Sequence, residues 1–182
     1  MILALLWACV PSIPLPDLGE VPAFTLLDQS GATVTRESLA GDVWVVNFIF
    51  TSCPDVCPVL STHMTEVQKH YTGRDGLRLV SFSVDPLTDT PPVLAAYGRR
   101  FDADPARWSF LTGETTAVRA LVVDGFKNLM ETVPATGVEP ETVLHGSRFV
   151  VVDRQSHIRA YPDPAKPGKA ELYAAIDAAL RE

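Results

Sequence analysis

Basic side chains are scarce in this 182-residue chain. Fifteen Lys and Arg stand against 22 Asp and Glu, for a net charge of −7. That balance excludes nucleic acid as a partner, because binding it needs a basic footprint. The acidic excess serves solubility and tilts the surface towards cations. Cysteine is equally sparse: Cys9, Cys53 and Cys57 are the full set. With no second close pair, a structural zinc site of four protein ligands is excluded. No internal repeat breaks the chain, and its length suits one domain better than two. Its 47% of hydrophobic residues is the share of a folded globular protein, not of a disordered one.

The N-terminus also lacks what would complete it. Ile2 to Val10 is apolar but too short for a bilayer span, which takes about 20 residues. It has no basic n-region of a full secretory signal. Leu6-Trp7-Ala8-Cys9 loosely resembles a bacterial lipoprotein cleavage site, although Trp7 fits that pattern poorly. Three readings stay open: a clipped lipoprotein signal, a clipped ordinary signal, and a plain hydrophobic N-terminus. The proline-rich stretch Pro11 to Pro22 reads as a semi-rigid tether. The expected organisation is therefore an N-terminal segment over residues 1–22 and one domain over residues 23–182.

Within that domain the periodicities alternate. Ala23 to Leu27 and Thr33 to Thr35 flank the turn-rich Asp28-Gln29-Ser30-Gly31, a small hairpin. Val43 to Phe50 and Leu77 to Val84 are continuous apolar runs, as expected of strands covered on both faces. Val59 to Tyr71 reads as a helix, as does Pro91 to Phe101, with Thr90 as N-cap and Pro91 at the first helical position. Trp108 to Leu111 is a short strand and Glu114 to Asp124 a helix. Ser147 to Asp153 and His157 to Tyr161 form a second hairpin, and Lys169 to Leu180 closes the chain as an amphipathic helix. Alternation of this kind predicts an α/β sheet with helices on both faces. The closing β-β-α and the leading hairpin predict a thioredoxin-like fold with an N-terminal β-hairpin extension. Met130 to Val143, polar and lacking periodicity, reads as a loop.

The chemistry concentrates in Thr51-Ser52-Cys53-Pro54-Asp55-Val56-Cys57-Pro58, between a buried strand and a helix. In α/β sheets, ligands gather at the carboxyl ends of strands. Pro58 suits the first helical position, which makes Cys57 the expected N-cap and leaves Cys53 in the loop ahead of it. The helix N-terminus favours thiolates there, so both sulfurs are expected to be more anionic than ordinary cysteine. Three residues separate the cysteines. Such a loop can close a redox-active disulfide between Cys53 and Cys57, or hold the two sulfurs on one soft metal ion. Among first-row ions soft thiolates select copper(I), and imidazole is a compatible third ligand. A purely structural disulfide has little reason to sit at this junction.

Of four histidines, His63 and His70 lie on the helix after the motif and read as surface residues. His157 follows a hairpin turn and reads as solvent-facing. His145 stands in Leu144-His145-Gly146-Ser147, where a loop enters a buried strand opposite the cysteine loop. Position alone leaves ligand and capping or core roles equally open for it.

Taken together, these motifs resemble the Sco/SenC family, copper chaperones of cytochrome c oxidase assembly. The likeness rests on Cys53-Pro54-Asp55-Val56-Cys57-Pro58, on Ser83-Val84-Asp85-Pro86 with Asp89-Thr90-Pro91, on Tyr97 and Phe101, on Trp108 to Gly113, and on His145 ahead of Phe149 to Asp153. It extends from about Val21 to the C-terminus. The resemblance implies a copper ion held by Cys53, Cys57 and His145, and delivery to the copper-containing subunit of cytochrome c oxidase. It also implies a periplasmic or other extracytoplasmic location with membrane attachment through the N-terminus, and a role for Asp85 near the metal that competes with a plain turn role. Leu144 departs from the acidic residue often found before that histidine. A thiol-disulfide oxidoreductase acting on the same subunit's cysteines is the alternative function. A peroxidase has no support beyond general likeness of fold.

Overall fold

Val43–Ile49 forms strand β3 with every residue buried, as its unbroken apolar run predicts. The computed structural model describes residues 14–127, 131–133, 142–144, 147–166 and 169–182. Around β3 the chain lays down β1 (Thr25–Leu27), β2 (Thr33–Thr35), α1 (Arg36–Leu39), α2 (Val56–His70), β4 (Leu77–Ser83), α3 (Pro91–Arg99), β5 (Trp108–Leu111) and α4 (Thr115–Ala120). There follow β6 (Glu131–Val133), β7 (Thr142–Leu144), β8 (Val150–Val152), β9 (Ile158–Ala160) and α5 (Ala170–Arg181). The central sheet has the order β5-β4-β3-β8-β9. β3, β4 and β5 run parallel, while β8 is antiparallel to β3 and β9 antiparallel to β8. This is the α/β, thioredoxin-like arrangement with its leading hairpin, β1 paired to β2.

Strand alternation sorts the core into two layers. Val43, Val45 and Ile49 face one side, with Leu60, Met64 and Val67 of α2, Leu94 and Tyr97 of α3, and Leu172 and Ile176 of α5. Trp44, Val46 and Phe48 face the other, with Phe24 and Leu26 of the hairpin, Leu39 of α1, and Val118, Leu121 and Phe126 of the α4 region. Cys53 and Cys57 belong to the first layer.

Three stretches differ from the sequence reading. The helix expected over Glu114 to Asp124 stops at Ala120 and continues as one wider π turn, Leu121–Gly125. That turn delivers the Phe126 N–H to the Leu121 carbonyl at 2.9 Å and buries the Phe126 ring. Gly125 is required there, because a Cβ would stand 2.8 Å from Pro22 Cδ. The supposed loop over Met130 to Val143 contains paired strands, β6 with β7; three-residue strands are too short to show a period. Finally, the stretch read as a tether is docked from Leu15 onwards. The Leu18 N–H donates to the Ile158 carbonyl, Ile158 N–H to the Gly19 carbonyl, and Val21 N–H to the Ser156 carbonyl. Arg159 donates to the Leu15 and Pro16 carbonyls. Prolines lack an N–H, but the residues between them make these bonds, and the segment covers the edge of β9 that β8 leaves open.

A titratable pair latches that segment. His157 Nδ1 lies 2.9 Å from Asp17 Oδ2. The bond raises the His157 pKa and lowers that of Asp17. For histidine, a raised folded pKa gives stability that is present below the ordinary 6.5 and is lost as pH rises through the raised value. For Asp17, stability is present above the ordinary 3.8 and is lost as pH falls through the lowered value. Exchange protection of the Leu18, Val21 and Ile158 amides should therefore be greatest between those ordinary values. Hydrogen exchange corrected for intrinsic rates at about pH 5 and about pH 8.5 measures this. Protection should fall at the higher pH, and His157→Asn should remove the difference.

Candidate functional site

The site begins where β3 ends. The Phe50 carbonyl accepts the Cys53 N–H at 3.2 Å, which turns the chain at the carboxyl edge of the sheet. Helix α2 then starts at Val56, with Asp55 in the cap position and making no side-chain capping bond. Cys57 is thus inside the first turn, not at the N-cap as its sequence suggested. Pro58 tolerates the shift, because any of the first four helical residues lacks an intrahelical acceptor for its N–H. The Cys57 N–H instead approaches Cys53 Sγ at 3.5 Å. The Cys53 sulfur thereby takes the place that a serine or aspartate oxygen usually holds at a helix start.

The pair is more enclosed than a reactive surface thiol. Cys53 is 8% exposed and Cys57 is fully buried, and no disulfide joins them. Burial pushes the Cys57 thiol far above the ordinary cysteine range. A backbone hydrogen bond with Phe50 opposes this, and Cys53 and Asp89 add to it. The expectation that the helix N-terminus makes both sulfurs more anionic is therefore corrected for Cys57. Taking its charge out of water outweighs the helix dipole.

Beneath the loop lies Asp89, a group to which the sequence motif alone assigns no role. Asp89 has no exposed surface. Its carboxylate accepts the Thr51 N–H at 3.2 Å, the Thr51 hydroxyl at 2.5 Å and the Ser83 hydroxyl at 2.5 Å. Burial raises its pKa, and the hydroxyl and amide donors oppose that. The signal in the sequence is its place between Asp85 and the Thr90-Pro91 helix start. Asp85 is half-buried and organises the turn after β4 through its backbone. Its carbonyl accepts the N–H groups of Thr88 (3.2 Å) and Asp89 (2.9 Å), and its own N–H donates to Ser83 Oγ. Nearby, Tyr97 Oη and Ser61 Oγ share a buried hydrogen bond of 2.9 Å.

The structure brings Cys53 and Cys57 together. His145 lies outside the described residues, as does Cys9. His63 faces Glu66 at 3.2 Å, His70 stacks on Tyr173 with ring centres 4.3 Å apart, and His157 is engaged with Asp17. Among the described residues no group of three or more His, Cys, Asp or Glu side chains is placed to hold a metal.

The profile of the SCO1/SenC family matches residues 16–181. The chain belongs to the SCO1/SenC family. A SCO1 homolog from Bacillus subtilis is 36% identical over 138 residues, spanning 73% of this chain and 68% of its own length. A SCO2-like protein of Rickettsia felis is 33% identical, over 69% of this chain and 60% of its own. Curated relatives thus extend beyond the matched region. A solved SCO1/SenC lipoprotein from Bacillus anthracis superposes with a TM-score of 0.79 at 26% identity, covering 88% of this chain and 95% of that one. ScoI of Bradyrhizobium japonicum, solved with copper bound, gives 0.72 at 25% identity, over 90% and 97%. BsSco, described with a disulfide switch and as one of the Sco family of cytochrome c oxidase assembly proteins, gives 0.76 at 29%, over 92% and 98%. In this SCO1/SenC chain no described helix is long and apolar enough to cross a membrane.

Proposed function

We propose that this SCO1/SenC protein binds one copper(I) ion through Cys53, Cys57 and His145 and delivers it to the binuclear copper site of a cytochrome c oxidase subunit. The observation that carries this reading is the enclosed pair of thiols at the strand-to-helix junction, with Cys57 fully buried and its N–H directed at Cys53 Sγ. A buried thiolate is costly unless a cation compensates it. Two soft sulfurs suit a soft, singly charged ion, and the copper-bound Bradyrhizobium relative supports copper as that cargo. His145 is the third ligand in this reading. The antiparallel register Val46↔Val150 runs the approach to β8 beside the exit of β3, and Phe149 shares a core cluster with both cysteines. Three-coordination leaves room for an acceptor's ligand to join before the first ones leave. The Bacillus anthracis lipoprotein supports an extracytoplasmic protein held at a membrane through its N-terminus.

Titration of the reduced protein with copper(I) against a chelator tests the reading. One ion should bind. Cys53→Ser and Cys57→Ser should each lose the site. His145→Ala should weaken it by about a hundredfold, a loss typical of removing one metal ligand or its support. Unchanged stoichiometry and affinity in all three variants would falsify the proposal.

The spacing of the pair also favours a second reading, a thiol-disulfide oxidoreductase that keeps the subunit's cysteines reduced. One thiolate attacks the target disulfide, and the second cysteine resolves the mixed disulfide. That chemistry needs no imidazole. His145→Ala separates the two readings: copper binding should suffer while disulfide reduction persists.

A further inference from the structure

We propose that Asp89 is a positioning residue for the Cys53–Cys57 pair, acting through the single peptide group that joins Phe50 to Thr51. The inference rests on the reading of these cysteines as the working pair, and it adds a residue to which no role has yet been given. The N–H end of that peptide belongs to Thr51 and donates to the Asp89 carboxylate at 3.2 Å. Its C=O end belongs to Phe50 and accepts the Cys53 N–H at 3.2 Å. One planar unit is thus held at both ends, because the peptide cannot twist about its C–N bond. The same stretch reaches the second cysteine through the backbone hydrogen bond between Phe50 and the Cys57 thiol. Cys57 N–H in turn meets Cys53 Sγ. A rotation of the 50–51 peptide therefore moves the anchors of both sulfurs.

Asp89 is built to prevent that rotation. It is fully buried, it follows the turn that leaves β4, and it stands directly before Thr90, the N-cap of α3. Its oxygens take the Thr51 N–H, the Thr51 hydroxyl and the Ser83 hydroxyl. Ser83 ends β4, whose residues pair with β3 in register up to Ile49↔Ser83. The carboxylate thus fastens the first residue of the cysteine loop to the neighbouring strand. A metal or redox site misplaced by about 1 Å loses much of its function, so such a support carries functional weight.

Three variants of the full chain test this: Asp89→Ala, Asp89→Asn and Thr51→Val. The first removes every acceptor. The second keeps an oxygen for the Thr51 N–H, and the two hydroxyls can rotate to suit the amide. The third removes one donor and leaves the backbone N–H in place. Two readouts are taken below the melting transition. One is copper(I) affinity by chelator competition. The other is equilibrium with glutathione: two protein thiols plus glutathione disulfide give the protein disulfide plus two glutathiones, with two electrons passing to the glutathione sulfurs.

The bonds described hold the thiol form, so their loss should favour the disulfide and weaken copper binding. Asp89→Ala should shift the glutathione equilibrium towards disulfide by about fivefold or more and lower copper affinity by a similar factor. Asp89→Asn should stay within about twofold of wild type, and Thr51→Val should fall between. An Asp89→Ala protein that folds yet stays within about twofold in both readouts overturns the proposal. So does an Asp89→Asn as damaged as Asp89→Ala, since charge and not position would then be the cause. If Asp89→Ala fails to fold, Thr51→Val decides: no shift overturns the proposal. The glutathione measurement needs no copper, so a wild type that binds none refutes the copper reading without touching this one.

Discussion

Cys57→Ser in the reduced protein is expected to abolish copper(I) binding, with affinity lowered by more than about a thousandfold. Full burial of Cys57 is the reason for so large an effect. An anionic sulfur in that position has no water to stabilise it, and its thiol is held well above the ordinary range by burial. A soft cation bound there would stabilise the thiolate. Serine supplies a hard oxygen whose proton is harder still to remove. With burial holding the Cys57 thiol above the ordinary range, copper bound through the proposed ligands should expel its proton, and affinity should rise by about tenfold per pH unit for each proton released. Acid therefore favours the empty protein. Chelator competition at about pH 6, 7 and 8 measures the slope. An affinity indifferent to pH would mean that no thiol proton is displaced, and Cys57 would then not be a ligand.

The parts of this molecule that were legible in advance are those fixed by local pattern. Val43 to Phe50 and Leu77 to Val84 read as doubly covered strands because no polar face interrupts them, and both form central strands of the sheet. Cys53 and Cys57 were legible because their spacing and the strand before them place them at one edge. What the sequence hid depends on contacts distant along the chain. The depth of Cys57 comes from packing among α2, α3 and α5, and that depth reverses the electrostatic expectation based on the helix start alone. Asp89 stands in the sequence only as one residue of the Asp89-Thr90-Pro91 motif; its importance arises when Thr51, 38 residues earlier, folds over it. Pro11 to Pro22 reads as a semi-rigid tether, but from Leu15 onwards it is hydrogen-bonded to β9 and its flanks. The π turn at Leu121–Gly125 follows from fitting Phe126 beneath the sheet, a demand that no helical periodicity displays.

Trp44→Ala tests the two-layer construction and should cost about 3–5 kcal/mol, a large share of the about 5–15 kcal/mol that holds a typical domain together. Trp44 is fully buried. It donates its Nε1–H to the Leu39 carbonyl at 2.9 Å and meets the Phe24 ring edge-on at 6.4 Å. Truncation empties that volume and leaves the carbonyl without its donor. Thermal unfolding of the copper-free protein should drop by roughly 10 °C. The lesion lies on the face of β3 opposite to the cysteines, since Trp44 and Cys57 belong to different core clusters. Affinity for copper in the folded molecules should therefore be unchanged, and effects at separated sites add. A ligand at about a thousand times its dissociation constant adds about 4 kcal/mol to stability. Copper(I) at that excess should then return the variant close to the melting temperature of the copper-free wild type, with the same increment in both proteins. A smaller increment in Trp44→Ala would mean that the sheet transmits the lesion to the thiols, and the two faces of β3 would have to be treated as one coupled unit.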